Sequence, residues 1–290
     1  MAQAITKESI KHDLRRLGLG EADSLFVHSS MKSMGFVCGG PQAVIDAFLE
    51  LLGVSGMLMV PTFTFTNFQP FFDLENTPSE MGVITETLRQ REDSIRSMHP
   101  RHSVSAIGQG AAELVQGHLF AGSLGIGSPL DKLSKRGGYI FLLGVGQEVN
   151  SIIHLAEFLA DVPYLYTWER PDFPHTARLK WDGYEKEITL APSPGCSEGF
   201  EKIESVLRNR GIIKDGKIGK ARCQLMKARD IVDAAVELLT TNPEALLCDD
   251  DTCYSCWEKM KSIYKGIGCA VNSHARESEL IGRPFVGRND

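Results

Sequence analysis

SLFVHSSMKSMGFVCGGPQAVIDAFLELLGVSGMLMVP, residues 24–61, decides the architecture. SLFVH (24–28) is a short apolar run of strand length. The glycine-containing loop SSMKSMGFVCGG follows. Pro41 then opens an amphipathic helix with Val44, Ile45, Phe48, Leu51 and Leu52 on one side. Gly53 and Gly56 close it, and MLMVP (57–61) is another strand. Strand, loop, helix and strand in that order make a βαβ unit.

Working outward, residues 6–18 form a helix capped by Thr6, with Ile10, Leu14 and Leu17 as its stripe and Gly18 and Gly20 at its end. Downstream, TFTFTNFQPFFDLENT (62–77) carries five phenylalanines without helical spacing. It is expected to be a long loop, either lining a cavity or plugging the core. Ser79–Arg91 is expected to be helical and VSAIG (104–108) a strand. YIFLLG (139–144) is a buried strand running through GVGQEVNS into a helix over Ser151–Ala160, a second strand–loop–helix unit.

After Pro163 the pattern changes. ARLKWDGYEKEITL (177–190) alternates around Asp182-Gly183, a two-residue hairpin signal. Ser197 is expected to cap a helix to about Arg210, residues 212–228 to form two strands turning at Asp215-Gly216, and Asp230–Leu239 an amphipathic helix. The expected fold is α/β: a mixed sheet core with flanking helices and an inserted antiparallel hairpin lobe. One domain is expected over residues 1–290, with the α/β core at 6–162, antiparallel strands and helices at 163–245, and a cysteine-rich tail at 246–290.

Composition narrows the function. The chain has 290 residues, 42% apolar and 23% charged, with 31 Lys+Arg against 37 Asp+Glu and a net charge of -6. Such a balance cannot neutralise phosphates in bulk, which argues against general nucleic-acid binding. No apolar run reaches membrane-spanning length, and MAQAITKESIKHDL lacks the apolar region of a secretory signal. Seven cysteines without an export signal imply reduced thiols in a cytoplasm.

Four stretches could carry chemistry. VHSSMKSMG (27–35) places His28 at a strand end and Ser29, Ser30, Lys32 and Gly35 before a helix, groups that suit a phosphate or pyrophosphate. A capped loop with a solvated lysine is the favoured alternative, since no P-loop pattern is present. In HPRHSVSAIG (99–108), His99-Pro100 forces an extended turn and Ser103 enters a strand. GIGSPLDKL (125–133) is a plain helix start, with Ser128 as cap. In LLGVGQEVNSIIHLAEF (142–158), Ser151, His154 and Glu157 are three apart and share a helical face. A carboxylate on one imidazole nitrogen raises the basicity of the other, which makes a proton acceptor; a satisfied core histidine is the alternative. Gly144-Val145-Gly146 lacks the third glycine of a dinucleotide motif, and three side chains stacked on one helix cannot form a hydrolase nucleophile elbow.

Taken in order, VHSSMKSMG, HPRHS, GIGSP and LLGVGQEVNSIIHLAE resemble the aminoglycoside 3-N-acetyltransferase family, and ARCQLMKARDIV (221–232) resembles its later segment. The likeness runs from about Thr6 to about residue 240. It implies an acetyl-coenzyme A-dependent acetyltransferase with its own α/β fold. On that resemblance His154 is the catalytic histidine, Glu157 its acidic companion, Ser151 the hydroxyl residue one turn before, and His28 the histidine before the cofactor loop. Ser29, Ser30, Lys32 and Gly35 would approach the coenzyme, with Ser103 and Val104 beside its pantetheine arm. His102 occupies a variable position and receives no role.

The implied reaction is direct attack of an amine, deprotonated by His154, on the thioester. A ping-pong route through Cys38 or Cys223 is the rival. The acceptor is an aminoglycoside or another amine, such as an amino sugar or a peptide-like metabolite. Asp73, Glu75 and Glu80 are candidate carboxylates for it. A coenzyme-binding homologue without catalysis is the non-enzyme alternative. The partners implied are the amine and acetyl-coenzyme A, with no nucleic acid and no membrane; the oligomeric state is open, a homodimer included. In the tail, Cys248-x4-Cys253-x2-Cys256 offers three thiols where structural zinc wants four ligands. Cys196, Cys223, Cys269 or His274 could be the fourth, or the chain could hold a zinc-stabilised interaction module. Free thiols, with no metal, are the favoured expectation.

Overall fold

A computed structural model describes residues 4–64, 71–165, 176–190 and 195–265. Its strands are β1 (Ser24–Ser29), β2 (Met57–Pro61), β3 (Phe71–Asp73), β4 (Ile95–Arg96), β5 (Val104–Gly108), β6 (Tyr139–Leu143), β7 (Thr176–Trp181), β8 (Tyr184–Thr189), β9 (Lys214–Ile218) and β10 (Ala221–Lys227). Its helices are α1 (Lys7–Arg16), α2 (Met31–Met34), α3 (Gly40–Leu52), α4 (Val83–Arg89), α5 (Ala111–Val115), α6 (Pro129–Lys135), α7 (Ile153–Leu159), α8 (Glu204–Asn209), α9 (Ala228–Thr241) and α10 (Tyr254–Tyr264).

Seven strands form one sheet in the order β4-β5-β2-β1-β6-β10-β9. At its centre β1 runs parallel to β2 and β6, with Phe26 opposite Met59 and Ile140. The outer strands β5 and β10 are antiparallel to their neighbours. The expected βαβ unit is therefore the middle of the sheet. Both faces are covered, so β1 is apolar over Leu25–Val27 rather than alternating. Leu25 and Val27 enter a core roofed by α1 and α3; Phe26, Ile140 and Leu142 enter another with α6, α7 and α9. A three-stranded sheet, β3-β7-β8, stands apart. Its hairpin turns at Asp182 (φ 45) and Gly183 (φ 77), as the Asp-Gly pair predicts. Among the described residues no helix is long and apolar enough to cross a membrane.

Several elements differ from expectation for local reasons. Helix α4 starts only after Gly82, because Ser79 N–H bonds the Glu86 carboxylate (2.7 Å) and holds 79–81 in a turn. Ser197 makes no side-chain cap, and 198–203 winds as a 3-10 turn before α8, where Gly199 lies against the Leu246 and Leu247 backbone. The β9–β10 turn is at Gly219, not Asp215-Gly216. Gly216 lies within β9, and a Cβ there would stand 2.5 Å from Leu17, so this glycine serves the packing of α1. The aromatic stretch contributes buried Phe63 and Phe72 and the edge strand β3; Phe65 and Phe68 lie outside the described residues.

Candidate active site

Strand alternation aims the first histidine. His28 shares the face of Phe26, whose ring it meets edge-on at 4.8 Å, and that face is the one covered by α7. Its Nε2 accepts the Ser151 N–H at 3.3 Å. This ties the carboxyl end of β1 to the loop between β6 and α7. Burial alone pushes the His28 pKa down to about 3, so the ring is neutral and its proton sits on Nδ1.

His154 and Glu157 lie on the buried face of α7, one turn apart. His154 Nδ1 is 2.6 Å from Glu157 Oε2, so the imidazole donates there and presents Nε2 as acceptor. The Phe200 ring packs against the imidazole at 4.8 Å. Burial would raise the Glu157 pKa. The Lys259 charge and the bonds from His154 and Tyr164 outweigh it, and the carboxyl is held below its ordinary 4.5. Tyr164 OH donates to Oε1 at 3.0 Å and Lys259 Nζ at 3.3 Å. A carboxylate so fixed, with its charged form favoured, orients the imidazole and stabilises its protonated form.

Ser151 departs from the expected arrangement. Helix α7 begins at Ile153, and Ser151 occupies the preceding turn with its hydroxyl toward the Val149 carbonyl (3.4 Å). The trio is therefore a His–Glu pair plus a loop serine. Ser29 ends β1 and Ser30 follows it, but the expected loop contains the short helix α2, which holds Lys32 and is closed by Gly35. Ser30 N–H bonds the Leu143 carbonyl (2.9 Å), the Ser29 hydroxyl is buried with no partner among the described residues, and Lys32 is exposed. Gly35 adopts φ 91, a left-handed value open to glycine. Gly144 (φ 70) matters for a second reason: a Cβ there would meet Ser33 Oγ at 1.7 Å. Ser103 and Val104 reach the same sheet end through the pairing of Pro61 with Val104. The Ser103 hydroxyl, however, is occupied by the Thr62 carbonyl (2.6 Å) and Arg96 (3.0 Å).

Sequence reading missed several groups. Lys259 and Tyr164 come to Glu157 from 102 and 7 residues away. His102 is half-buried and packs against the buried His99, which stacks on the buried His118 at 4.7 Å. Its pKa lies well below the usual value, first through burial and then through the charge of His154. A hint was available: HPRHS puts two histidines just ahead of a strand. Glu201 reaches Glu148, just ahead of α7, and its carboxyl is pushed up to about 7 by that contact. Conversely, Asp73 is not open to an acceptor. It bonds Lys180 at 2.8 Å and caps the 75 and 76 amides. Cys223 is buried and its thiol pushed up to about 12 by burial, which disfavours it as a nucleophile. Two clefts, of about 540 Å³ beside Trp181 and about 380 Å³ beside Gly146, are not lined by His154.

Comparison with known proteins bears on this geometry. The family described as aminoglycoside 3-N-acetyltransferase matches residues 26–240. Aminoglycoside N(3)-acetyltransferase VII of Streptomyces paromomycinus is 33% identical over 263 residues, covering 80% of this chain and 90% of that protein. Aminoglycoside N(3)-acetyltransferase IX of Micromonospora chalcea is 31% identical over 261 residues, covering 80% and 92%. A crystal structure of aminoglycoside acetyltransferase AAC(3)-IVa in complex with a gentamicin superposes with a TM-score of 0.80 at 28% identity, covering 91% of this chain and 99% of that one.

Proposed function

The chain belongs to the aminoglycoside 3-N-acetyltransferase family, and from that premise we propose that it moves acetyl from acetyl-coenzyme A to a primary amine of an aminoglycoside or related amino sugar. The observation that carries the reading is the buried His154–Glu157 pair, 2.6 Å apart, whose Nε2 is left as the acceptor.

An amine is mostly protonated near neutral pH and attacks only as the free base. His154 Nε2 takes a proton from the attacking nitrogen as that nitrogen bonds the thioester carbon. Glu157 balances the imidazolium. The carbon–sulfur bond then breaks, and the departing thiolate recovers the proton. Backbone N–H groups of the 29–35 loop or the Ser151 hydroxyl would meet the oxyanion. Ser29 to Gly35, with Ser103 and Val104, would hold the coenzyme at the carboxyl end of β1, where ligands of open α/β sheets gather. The unpartnered Ser29 hydroxyl supports a ligand there, since a buried hydroxyl left unbonded costs about 1–3 kcal/mol. For the acceptor, the Glu148–Glu201 pair beside the His154 helix offers negative charge to an ammonium-rich sugar.

The test is a panel of aminoglycosides, amino sugars and polyamines mixed with acetyl-coenzyme A and scored by free thiol. Release with aminoglycosides, abolished by His154→Ala, supports the reading. Release by none of them, or at undiminished rate in that variant, overturns it.

A further inference from the structure

We propose that Cys196, Cys248, Cys253 and Cys256 form a tetrahedral zinc site that anchors α10 and thereby places Lys259 on Glu157. The four sulfurs lie within 4.8 Å of one another. A zinc ion at about 2.3 Å from each sulfur would set them about 3.8 Å apart, a contraction that side-chain rotation supplies. Sequence spacing yields three of these thiols; the fold brings the fourth, Cys196, from the segment before the 3-10 turn. Cys269 and His274 lie outside the described residues. The surroundings are those of a thiolate site. The Cys248 N–H points at Cys256 Sγ (3.4 Å), Cys253 is the residue that starts α10, and Cys256 is in its first turn. Four sulfur ligands and no carboxylate select zinc over harder cations. Binding breaks the S–H bonds, and their protons leave to solvent as the zinc–sulfur bonds form.

The second half follows from helix geometry. Lys259 is one turn beyond Cys256, on the same face of α10, and is fully buried. Its ammonium donates to Glu157 Oε1 (3.3 Å) and to the Cys196 carbonyl (3.4 Å), so the residue that carries one ligand also accepts the lysine. A buried cation on the carboxylate that orients His154 must be held in place. The helix bearing it follows 242–253, packs Cys256 into the core and takes the Cys196 N–H on Ser255 Oγ (3.2 Å). The zinc site would add a metal–sulfur tie to residue 196 beside that hydrogen bond. Lys259 is thus a positioning residue, acting through Glu157; this half rests on the acetyltransferase reading, whereas metal binding does not.

The experiment measures zinc per chain in purified protein, then the absorption of the cobalt-substituted form. We expect about one metal per chain, a sulfur-to-cobalt charge-transfer band and tetrahedral d–d bands. Cys248→Ser should lose most of the metal and Cys248→His should retain it. Folded protein that takes up neither zinc nor cobalt, that holds these thiols as disulfides, or that binds metal equally well as Cys248→Ser, overturns the site. Metal-stripped protein should show a lower kcat at unchanged KM for acetyl-coenzyme A, with a pH profile displaced as in Lys259→Met. A wild-type kcat and profile after stripping would overturn the link to Glu157 while leaving the site itself standing.

Discussion

At the scale of single residues, the chemistry rests on who touches Glu157. General-base assistance is worth about 10²–10⁴-fold, so His154→Ala should lose that much in kcat while calorimetry still registers coenzyme binding. Glu157→Gln removes the counter-charge of both the imidazolium and Lys259. Breaking a buried ion pair by deleting one partner costs about 3–5 kcal/mol, so this variant should lose both kcat and thermal stability, read by thiol release and a melting curve. Glu201→Gln is expected to be milder. Glu201 shares a site with Glu148, and an arriving ammonium would pull its raised pKa down; the neutral amide forgoes that attraction. KM for a polycationic acceptor should rise severalfold with kcat little changed. Which residues could be found beforehand follows the same physics. His154 and Glu157 are i,i+3 neighbours, and local spacing exposes them. Lys259, Tyr164 and His102 are placed by contacts that close only when the chain folds back on itself.

At the scale of elements, two segments are governed by backbone geometry. Gly144 ends β6 at φ 70, and a Cβ there would collide with Ser33. Gly144→Ala should push the 30–35 loop off the sheet end, raising KM for acetyl-coenzyme A more than it lowers kcat, as steady-state kinetics would show. Helix α1 illustrates a part that sequence alone exposes. Thr6 and Ser9 bond each other's backbone in a capping box, and Thr6→Ala should cost about 1 kcal/mol in a urea titration without altering activity. The strands at 24–29, 57–61, 104–108 and 139–143 were legible because short apolar runs of that length, the last three next to glycine, have few other solutions. Strands β3 and β4 were not. Each has three residues or fewer, too short for any periodicity, and exists only because a partner strand offers its edge.

For the whole molecule, the buried histidines set an acid limit. Burial lowers His28 to about 3 and His118 to about 4 from the usual 6.5, and His99 also lies well below that value. The unfolded chain binds protons on these rings below pH 6.5 and the folded chain does not. Their contribution is thus complete above pH 6.5 and is lost as pH falls toward 4 and then 3. Each ring contributes a slope of about 1.4 kcal/mol per pH unit, so the urea midpoint should drop steeply between pH 6.5 and 4. A midpoint flat across that range would show the rings to be solvated.

The α/β class, the central βαβ unit, the Asp182-Gly183 hairpin and the adjacent His154 and Glu157 were set by the chain itself. Each is written in periodicity, turn chemistry or spacing over a few residues, and local sterics suffice to enforce it. The strand order, the joining of β9 and β10 to the main sheet, the convergence of Lys259 on Glu157 and the gathering of Cys196 with three tail cysteines were decided only by tertiary packing. Those contacts close loops of tens of residues, and burial of the two cores, rather than any local preference, selects the one arrangement in which they meet.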